Sequence, residues 1–388
     1  MKPTSLLCLA AIAFTITTAR AESAAPQSIG ERLKPFVDQK EIAGAVVLVA
    51  TRDGVKQIET VGQADVEKNV PMREDTIFWI ASMTKPITAT AIMMLQDEGK
   101  LSVEDPVAKY VPELKDLKTK DGKPGNLTLR HLLTHTSGMA EATQQESKAA
   151  KTLAELIPAF ADKPLQFEPG TKWQYCQSGI NTLGRIIEVV SGKDLETFFQ
   201  ERLFRPLGMK DTTFYPTKEQ AARIATSYRR NGDKLEPQGV FVMNGTDVTS
   251  HDRYPAANGG LYSTAADYAR FARMVLNDGS LDGKKYVSPA AVKQMTSLQT
   301  PESIVTGFTP GNGWGLGWCV VRHPQGISAM LSPGTFGHGG AFGTQAWIDP
   351  VKGVAYVLMV QRQNFPNSDA SEVRKAFQQA AADAMKGH

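Results

Sequence analysis

Cysteine is scarce in this chain, and its scarcity excludes one class of protein. Only three cysteines occur among 388 residues, too few for the disulfide framework that stabilises small secreted domains. Cys8 lies in the first apolar segment, so Cys176 and Cys319 are the two thiols of the remaining chain. The sequence leaves open whether these two pair, and whether Cys176 is a reactive thiol or a small buried filler.

The chain also lacks an excess of charge of either sign. It carries 43 basic and 40 acidic residues, and residues 1–21 contain two of the basic residues and none of the acidic ones. The remainder is therefore close to neutral, which argues against a nucleic-acid partner or an anionic membrane surface. With 41% hydrophobic residues, the chain has enough apolar material for a large core.

Long hydrophobic runs are missing except at the N-terminus. Lys2 precedes the apolar stretch LLCLAAIAFTI, and Ala19-Arg20-Ala21 resembles a cleavage site between small residues. This arrangement predicts a signal peptide over residues 1–21, too short for a lasting membrane span. We therefore expect an exported protein, periplasmic or secreted, without a stable membrane span. An uncleaved N-terminal anchor is the alternative, because Arg20 is unusual so close to the cut.

Strand patterns occur at both ends of the chain, and helical patterns occur in its middle. Residues 44–63 read as two strands joined by a turn at Asp53-Gly54, and β-rich segments return after Pro289. The predicted fold is α/β (α+β), with one antiparallel sheet built from both chain ends and an inserted, mostly helical region beside it. The predicted domain spans residues 22–388, with its sheet in about 22–80 and 285–388 and its helical part in about 81–284.

Two helices of the middle region have clear end signals. The first begins at Ser82 and ends by Gly99. The second has a serine cap at Ser263 and a glycine stop at Gly279.

Ser82 and Lys85 lie three residues apart at the start of the first helix, so they share one face. Free N–H groups at a helix start stabilise a developing anion, and a buried lysine can lose its proton and act as a base. The ordinary alternative is that Ser82 caps the helix and Lys85 is solvated. The short pattern S-x-x-K also matches by chance.

Two further segments give this pattern a context. The sequence YCQ (175–177) stands just before a helix in the middle of the chain, and HGGA (338–341) leads into a predicted strand. This order resembles that of the serine β-lactamases and penicillin-binding proteins, which have S-x-x-K, then Y-x-N or S-x-N, then a K-T-G strand. The phrases LRHLLTHTSGM and GGLYSTAADYARF resemble the class C branch and its esterase relatives. The resemblance covers most of the chain.

The resemblance implies roles for four residues. Ser82 would be the nucleophile that forms an acyl-enzyme, and Lys85 and Tyr175 would share its activation, with the identity of the base left open. The side chains of free tyrosine and lysine both have pKa values of about 10, so we expect the pKa of each to be lowered in the site. The backbone N–H groups of Ser82 and Ala341 would form the oxyanion hole. No cofactor is implied.

Departures from the family pattern bear on the substrate. Gln177 stands where asparagine is usual, and His338 and Gly339 replace the lysine and threonine that would hold a substrate carboxylate. Substrate contacts are expected from Gln177, His338, Gly339 and Gly340, because glycines let the backbone approach a ligand closely. A neutral ester loses nothing by these changes, so hydrolysis of small carboxylic esters is the leading hypothesis.

Other functions stay open at this point. One alternative is a β-lactamase or D-Ala-D-Ala carboxypeptidase acting on β-lactams or peptidoglycan peptides, and another is a non-hydrolytic, penicillin-binding-protein-like sensor. His131 and His135 have i, i+4 spacing, which could place two metal ligands on one helix face. No glutamate follows His131 in the H-E-x-x-H manner, so ordinary buried histidines are favoured and no metal is expected.

Overall fold

The structure is a computed structural model that describes residues 27–239 and 247–385. Cys8 and the predicted signal peptide, residues 1–21, lie outside the described residues. The described part is a mixed α/β fold in which helices cover both faces of an eight-stranded antiparallel sheet. Across 27–239 and 247–385, no helix combines the length and the apolarity that crossing a membrane requires.

The described chain alternates between helices and strands of very different lengths. A π-helical segment at Gln200–Phe204 joins α8 to α9. The helices are α1 Ile29–Asp38, α2 Thr84–Asp97, α3 Leu129–Leu133, α4 Gln144–Ala149, α5 Leu153–Leu156, α6 Pro158–Ala161, α7 Gln177–Ser191, α8 Leu195–Phe199, α9 Arg205–Leu207, α10 Lys218–Ala221, α11 Ala265–Leu276, α12 Pro289–Thr296 and α13 Glu372–Ala384. The strands are β1 Gly44–Thr51, β2 Val55–Asp65, β3 Val70–Pro71, β4 Phe78–Trp79, β5 Ser227–Asn231, β6 Lys234–Gln238, β7 Tyr262–Ser263, β8 Ser280–Leu281, β9 Lys284–Lys285, β10 Asn312–Trp314, β11 Cys319–Val321, β12 Phe336–Gly339, β13 Gln345–Asp349 and β14 Val354–Met359.

The large sheet joins the two ends of the chain, as the sequence predicts. Its order is β10-β11-β12-β13-β14-β1-β2-β3. The early strand β1 pairs with the late strand β14, with Val46 opposite Met359 and Thr51 opposite Val354. The predicted turn between β1 and β2 is also present, and it is closed by a bond from the Thr51 N–H to the Gly54 carbonyl at 2.8 Å.

Both faces of the sheet are buried, so its central strands are apolar throughout. Along β1, Val46 and Leu48 face the large core that contains α2 and α11, while Val47 and Val49 face a second core under α1 and α13. Side chains alternate between the faces of a strand, so one apolar run can serve two cores. The sheet therefore forms the middle layer of three.

The predicted start of one helix needs correction. Thr264, rather than Ser263, caps α11, since the Thr264 hydroxyl accepts from the Asp267 N–H. Ser263 belongs to β7, where it pairs with Phe78. The helix α11 lies within the predicted helical region, yet it packs on β1 and β14 of the sheet. Gly279 has a φ of +87°, which fits the predicted glycine stop.

The helix α2 runs through the middle of the molecule. Every residue from Thr84 to Leu95 is buried, as expected of a helix that is apolar nearly all round. Its threonines satisfy their hydroxyls on backbone carbonyls, as Thr88 does on Ala257 at 2.8 Å. A helix held on all sides is a rigid platform for residues at its N-terminus.

Candidate active site

Ser82 lies in a tight turn at the N-terminus of α2. The short ribbon of β4 and β7 ends beside it, with the Ile80 N–H donating to the Leu261 carbonyl at 3.0 Å. Ala81 has a φ of +46°, a left-handed conformation that costs a non-glycine residue about 1 kcal/mol. A 3₁₀ turn at Ala81–Met83 then leads into α2. This strained turn presents the partly exposed Ser82 to a cavity.

Lys85 lies one turn below Ser82 and is fully buried. Its Nζ lies 3.0 Å from Ser82 Oγ, 2.8 Å from Gln177 Oε1 and 2.7 Å from the Asn258 carbonyl oxygen. No carboxylate is among these three partners. The ordinary expectation of a solvated lysine at this position is therefore wrong.

Burial lowers the pKa of Lys85 from 10.5 to about 7, although the nearby Glu141 carboxylate raises it. Part of the lysine is then neutral at physiological pH. Of the three atoms around Nζ, the two carbonyl oxygens can only accept hydrogen bonds, whereas Ser82 Oγ can also donate. A neutral amine that donates to both carbonyls therefore directs its lone pair at the Ser82 hydroxyl.

Tyr175 stands beside Ser82 and Lys85 among aromatic rings. Lys85 Nζ lies 4.5 Å from the centre of the Tyr175 ring, and the rings of His135 and Phe308 lie 4.5 Å and 4.9 Å away. These apolar surroundings raise the pKa of Tyr175 well above its usual value, although a hydrogen bond with Ser82 lowers it. The expectation of a lowered pKa is thus met by Lys85 and wrong for Tyr175.

His338 lies behind Tyr175 and is buried. Its Nδ1 is 2.7 Å from the Gly339 carbonyl oxygen, which can only accept, so Nδ1 carries the proton. Its Nε2 is left as an acceptor 3.5 Å from the Tyr175 hydroxyl. Burial lowers the pKa of His338 to about 3, helped by Lys85, so the ring is neutral. His338 is not among the described residues that line the cavity at Ser82.

Gly339 and Gly340 are required by packing within the protein. A Cβ on Gly339 would lie 1.9 Å from Asp369 Oδ1, and a Cβ on Gly340 would lie 2.1 Å from Thr344 Oγ1 and 2.7 Å from the Ile80 carbonyl oxygen. We expected these glycines to allow close approach of a ligand, whereas the close approach in the structure is to neighbouring residues. The same packing brings the end of β12 against the Ser82 turn.

Ala341 follows these glycines and lines the cavity together with Ser82. The turn after β12 is held by bonds from the Gly340 N–H to the Thr344 carbonyl at 2.7 Å and from the Gly343 N–H to the Gly340 carbonyl at 3.0 Å. The Ala341 N–H is not a donor in this turn. Its position at the cavity wall fits one half of an oxyanion hole.

Two residues of the site carry no sequence signal. Asn258 donates from Nδ2 to Gln177 Oε1 at 2.8 Å and also accepts from Lys85. Glu141 accepts from the N–H groups of Gln177 and Ser178 at 2.5 Å and 2.9 Å, so it caps α7 from outside. In the sequence, Asn258 lies in a turn-like Asn-Gly-Gly and Glu141 lies in a loop, so no motif marks either one.

Cys176 and Cys319, the two cysteines among the described residues, are both free and buried. The Cys176 Sγ accepts from the Gly179 N–H at 3.4 Å at the start of α7. Burial raises the pKa of Cys176 to about 12, and it raises the pKa of Cys319 as well. The thiolate is the reactive form, so these environments favour a structural role over a reactive thiol.

The two histidines spaced i, i+4 do not share a helix face. The helix α3 ends at Leu133, before His135. His131 Nδ1 accepts from the Thr128 N–H at 3.2 Å, and His135 Nδ1 accepts from the Cys176 N–H at 3.1 Å. Within the described ranges, no group of three or more potential ligands is placed to hold a metal ion.

Ser82 opens into a cavity of about 440 Å³. Glu141 is the only acidic residue among the described residues of its wall, and none of them is Lys, Arg or His. The lining residues are Trp79, Ala81, Ser82, Glu141, Ala142, Gln144, Ser147, Leu156, Gln177, Ser178, Asn181, Tyr254, Ala256, Asn258, Gly259 and Ala341.

A comparison with known families agrees with this arrangement. The chain matches the β-lactamase family over residues 29–381. It belongs to that family. The resemblance inferred from the sequence is thereby confirmed, and so is the predicted fold, because solved structures of the same architecture cover most of the chain.

The family's members include hydrolases with different substrates. A protein of Mycobacterium tuberculosis designated Rv1367c is 35% identical over 85% of this chain and 88% of its own length. Esterase EstB of Burkholderia gladioli is 28% identical over 86% of this chain and 90% of its own length. The solved structure of EstCE1, a hydrolase with promiscuous acyltransferase activity, covers 92% of this chain and 97% of its own with a TM-score of 0.78 and 24% identity. D-alanyl-D-alanine carboxypeptidase/endopeptidase AmpH of Escherichia coli is 27% identical over 82% of this chain and 80% of its own length. EstB and AmpH support a serine hydrolase, and the structure of EstCE1 supports the β-lactamase fold.

Proposed function

We propose that the protein is an exported serine hydrolase that forms an acyl-enzyme on Ser82 and hydrolyses small, uncharged carboxylic esters. The observation that carries this proposal is the charge of the cavity. Glu141 contributes a negative charge, and the described wall contains no cation to balance a substrate carboxylate. Export is proposed from the pattern of residues 1–21 alone.

The charge of the cavity favours neutral substrates for a physical reason. A carboxylate that leaves water for a cavity without a cation loses its hydration and gains no partner. β-Lactams and D-Ala-D-Ala peptides carry such a carboxylate, whereas a simple ester does not. His338 does not supply the missing charge, since it is buried behind Tyr175 and burial lowers its pKa to about 3.

The acylation step follows from the contacts of Lys85. The neutral amine takes the proton of Ser82 Oγ, to which its lone pair points, as Oγ bonds to the ester carbonyl carbon. The negative charge that collects on the carbonyl oxygen is stabilised by the N–H groups of Ser82 and Ala341. The C–O bond to the alcohol then breaks, and the alcohol receives the proton from Lys85 by way of the Tyr175 hydroxyl.

Tyr175 suits a relay better than a base. Its raised pKa keeps the phenol protonated, so it can pass one proton on while receiving another. In deacylation, water attacks the ester of Ser82 and gives its proton through the same pair, and Oγ leaves with a proton from Lys85. Each turnover returns both side chains to their starting state.

The decisive test compares a p-nitrophenyl ester, a chromogenic cephalosporin and a D-Ala-D-Ala peptide with wild type and Ser82→Ala. Ester hydrolysis that the substitution abolishes, with little cleavage of the other two substrates, supports the proposal. Faster cleavage of the cephalosporin or the peptide would contradict it and favour the lactamase or peptidase alternative. A stable adduct on Ser82 without turnover would favour the sensor.

A further inference from the structure

Asn258 contacts both Lys85 and Gln177, and the proposed reaction gives it no role. Its carbonyl oxygen accepts from Lys85 Nζ at 2.7 Å, and its side-chain Nδ2 donates to Gln177 Oε1 at 2.8 Å. Its own N–H donates to Asn181 Oδ1 at 3.2 Å, on the next turn of α7. Asn258 is thus bonded to the lysine and to two side chains of one helix.

These contacts fix the orientation of two amides. The protonated Nζ of Lys85 can only donate, so the Gln177 atom at 2.8 Å is its oxygen. The Asn258 atom that faces the same oxygen must then be the donor Nδ2. The Gln177 Nε2 group consequently lies on the side away from Lys85. Since Gln177 lines the cavity, this orientation offers N–H donors to a substrate carbonyl.

Gln177 needs this second contact more than an asparagine would. A glutamine side chain has one more rotatable bond, so it loses more conformational freedom when it is held in one place. The bond to Lys85 alone would hold the amide at one point and leave its plane free to turn about that bond. The bond from Asn258 Nδ2 to the same oxygen adds a second point of attachment.

We propose that Asn258 is a positioning residue that holds the Gln177 amide with its oxygen toward Lys85 and its nitrogen toward the substrate. With that oxygen and the Asn258 carbonyl both occupied as acceptors, Ser82 Oγ is the partner left for the lone pair of Lys85. This proposal rests on the proposed function in one respect, namely that Lys85 activates Ser82.

The test measures the rate at which a fluorophosphonate labels Ser82, because that rate reports the nucleophile and not the natural substrate. Asn258→Ala keeps the backbone carbonyl and removes only the amide, and we expect a loss of about 10-fold, the effect of one hydrogen bond on a barrier. Asn258 lies at the cavity wall, half-buried, so the change opens no hole in the core. The melting temperatures of wild type and Asn258→Ala check that both proteins are folded.

A second variant separates positioning from a merely structural role. Asn258→Asp keeps the shape but places a carboxylate near Lys85, which raises the lysine pKa. When the labelling rate is measured against pH, the acid limb of the Asn258→Asp profile should therefore lie about one pH unit higher than that of wild type. The acid limb of Asn258→Ala should stay where it is in wild type. A structural role would lower the melting temperature of both variants and leave the labelling rate of the folded proteins unchanged, and that result would overturn the proposal.

A double-substitution cycle tests whether Asn258 acts through Gln177. Combining Asn258→Ala with Gln177→Ala should cost no more than Gln177→Ala alone, and additive losses would contradict the proposal. The matched control is Gln294→Ala, which removes the acceptor of another amide–amide bond to α2, from Gln96 Nε2 at 2.9 Å. This variant should label at the wild-type rate.

The same experiment separates failure of this proposal from failure of the proposed function. Wild type that labels without hydrolysing esters would contradict the ester proposal and leave the comparison of Asn258 variants valid. Wild type that does not label would overturn both. Labelling of Asn258→Ala at the wild-type rate would overturn the positioning role alone.

Discussion

Replacing Lys85 by methionine should abolish labelling of Ser82 and stabilise the fold. The lysine is fully buried without a carboxylate partner, and burial lowers its pKa from 10.5 to about 7. That difference corresponds to about 5 kcal/mol of folding free energy at low pH. Methionine fills a similar volume and has no charge to bury.

The sign of the pH dependence follows from proton counts. Between about pH 7 and pH 10.5, the unfolded chain binds a proton at Lys85 and the folded chain does not, so wild-type stability rises with pH. Below about pH 7, Lys85 is protonated in both the folded and the unfolded chain, so the full cost of burying its charge remains. Relative to Lys85→Met, wild type should therefore regain about 3 kcal/mol between about pH 6 and about pH 9.

Lost hydrogen bonds offset part of the stability that the Lys85→Met variant gains over wild type. Methionine leaves Gln177 Oε1 and the Asn258 carbonyl without their amine donor, at a cost of about 1 kcal/mol each. The variant should thus be more stable than wild type by about 2 kcal/mol near pH 7. Urea unfolding of both proteins across the pH range measures the difference, and fluorophosphonate labelling measures the function. A variant that is less stable than wild type at every pH, or that still labels at the wild-type rate, would refute the reasoning.

Three further substitutions test other parts of the site. Glu141→Gln should move the acid limb of ester hydrolysis to lower pH, because the Glu141 carboxylate raises the pKa of Lys85; a shift to higher pH would contradict this in a pH–rate profile. His338→Lys should bring no gain in cephalosporin hydrolysis, because this position does not line the cavity. It should also lower the melting temperature, because it buries a charge. A gain in cephalosporin hydrolysis would contradict this placement of His338. Ala81→Gly should stabilise the fold by up to about 1 kcal/mol, because it relieves a φ of +46°; urea unfolding that shows a loss would count against strain at Ala81.

A sheet that contains strands from both chain ends was predictable from the sequence because strand and helix patterns differ in period. The hairpin at Asp53-Gly54 and the apolar runs near the C-terminus predicted a sheet shared by both chain ends, and β1 does pair with β14. The cap of α11 was misplaced by one residue, since serine and threonine adjoin there and either can cap a helix. The packing of α11 on the sheet was missed, because an amphipathic pattern shows that a face is buried and not what covers it.

The site was predictable where a short motif or the family resemblance marks its residues. The spacing of Ser82 and Lys85 suggested that they meet, and the structure places Tyr175 beside both. Asn258 and Glu141 reach the site through tertiary contacts, so no local pattern marks them. Burial also lies beyond the sequence. It lowers the pKa of Lys85 and raises that of Tyr175, and in our proposal it separates a base from a proton relay.

The most direct test of the central claim is intact-protein mass spectrometry during turnover of a p-nitrophenyl ester. We predict a transient mass increase equal to one acyl group in wild type, located on the peptide that contains Ser82, which forms and decays as fast as the ester is consumed. Ser82→Ala should show neither the adduct nor turnover. Ester hydrolysis that persists in Ser82→Ala, or an acyl group found on another residue, would contradict the assignment of Ser82 as the nucleophile.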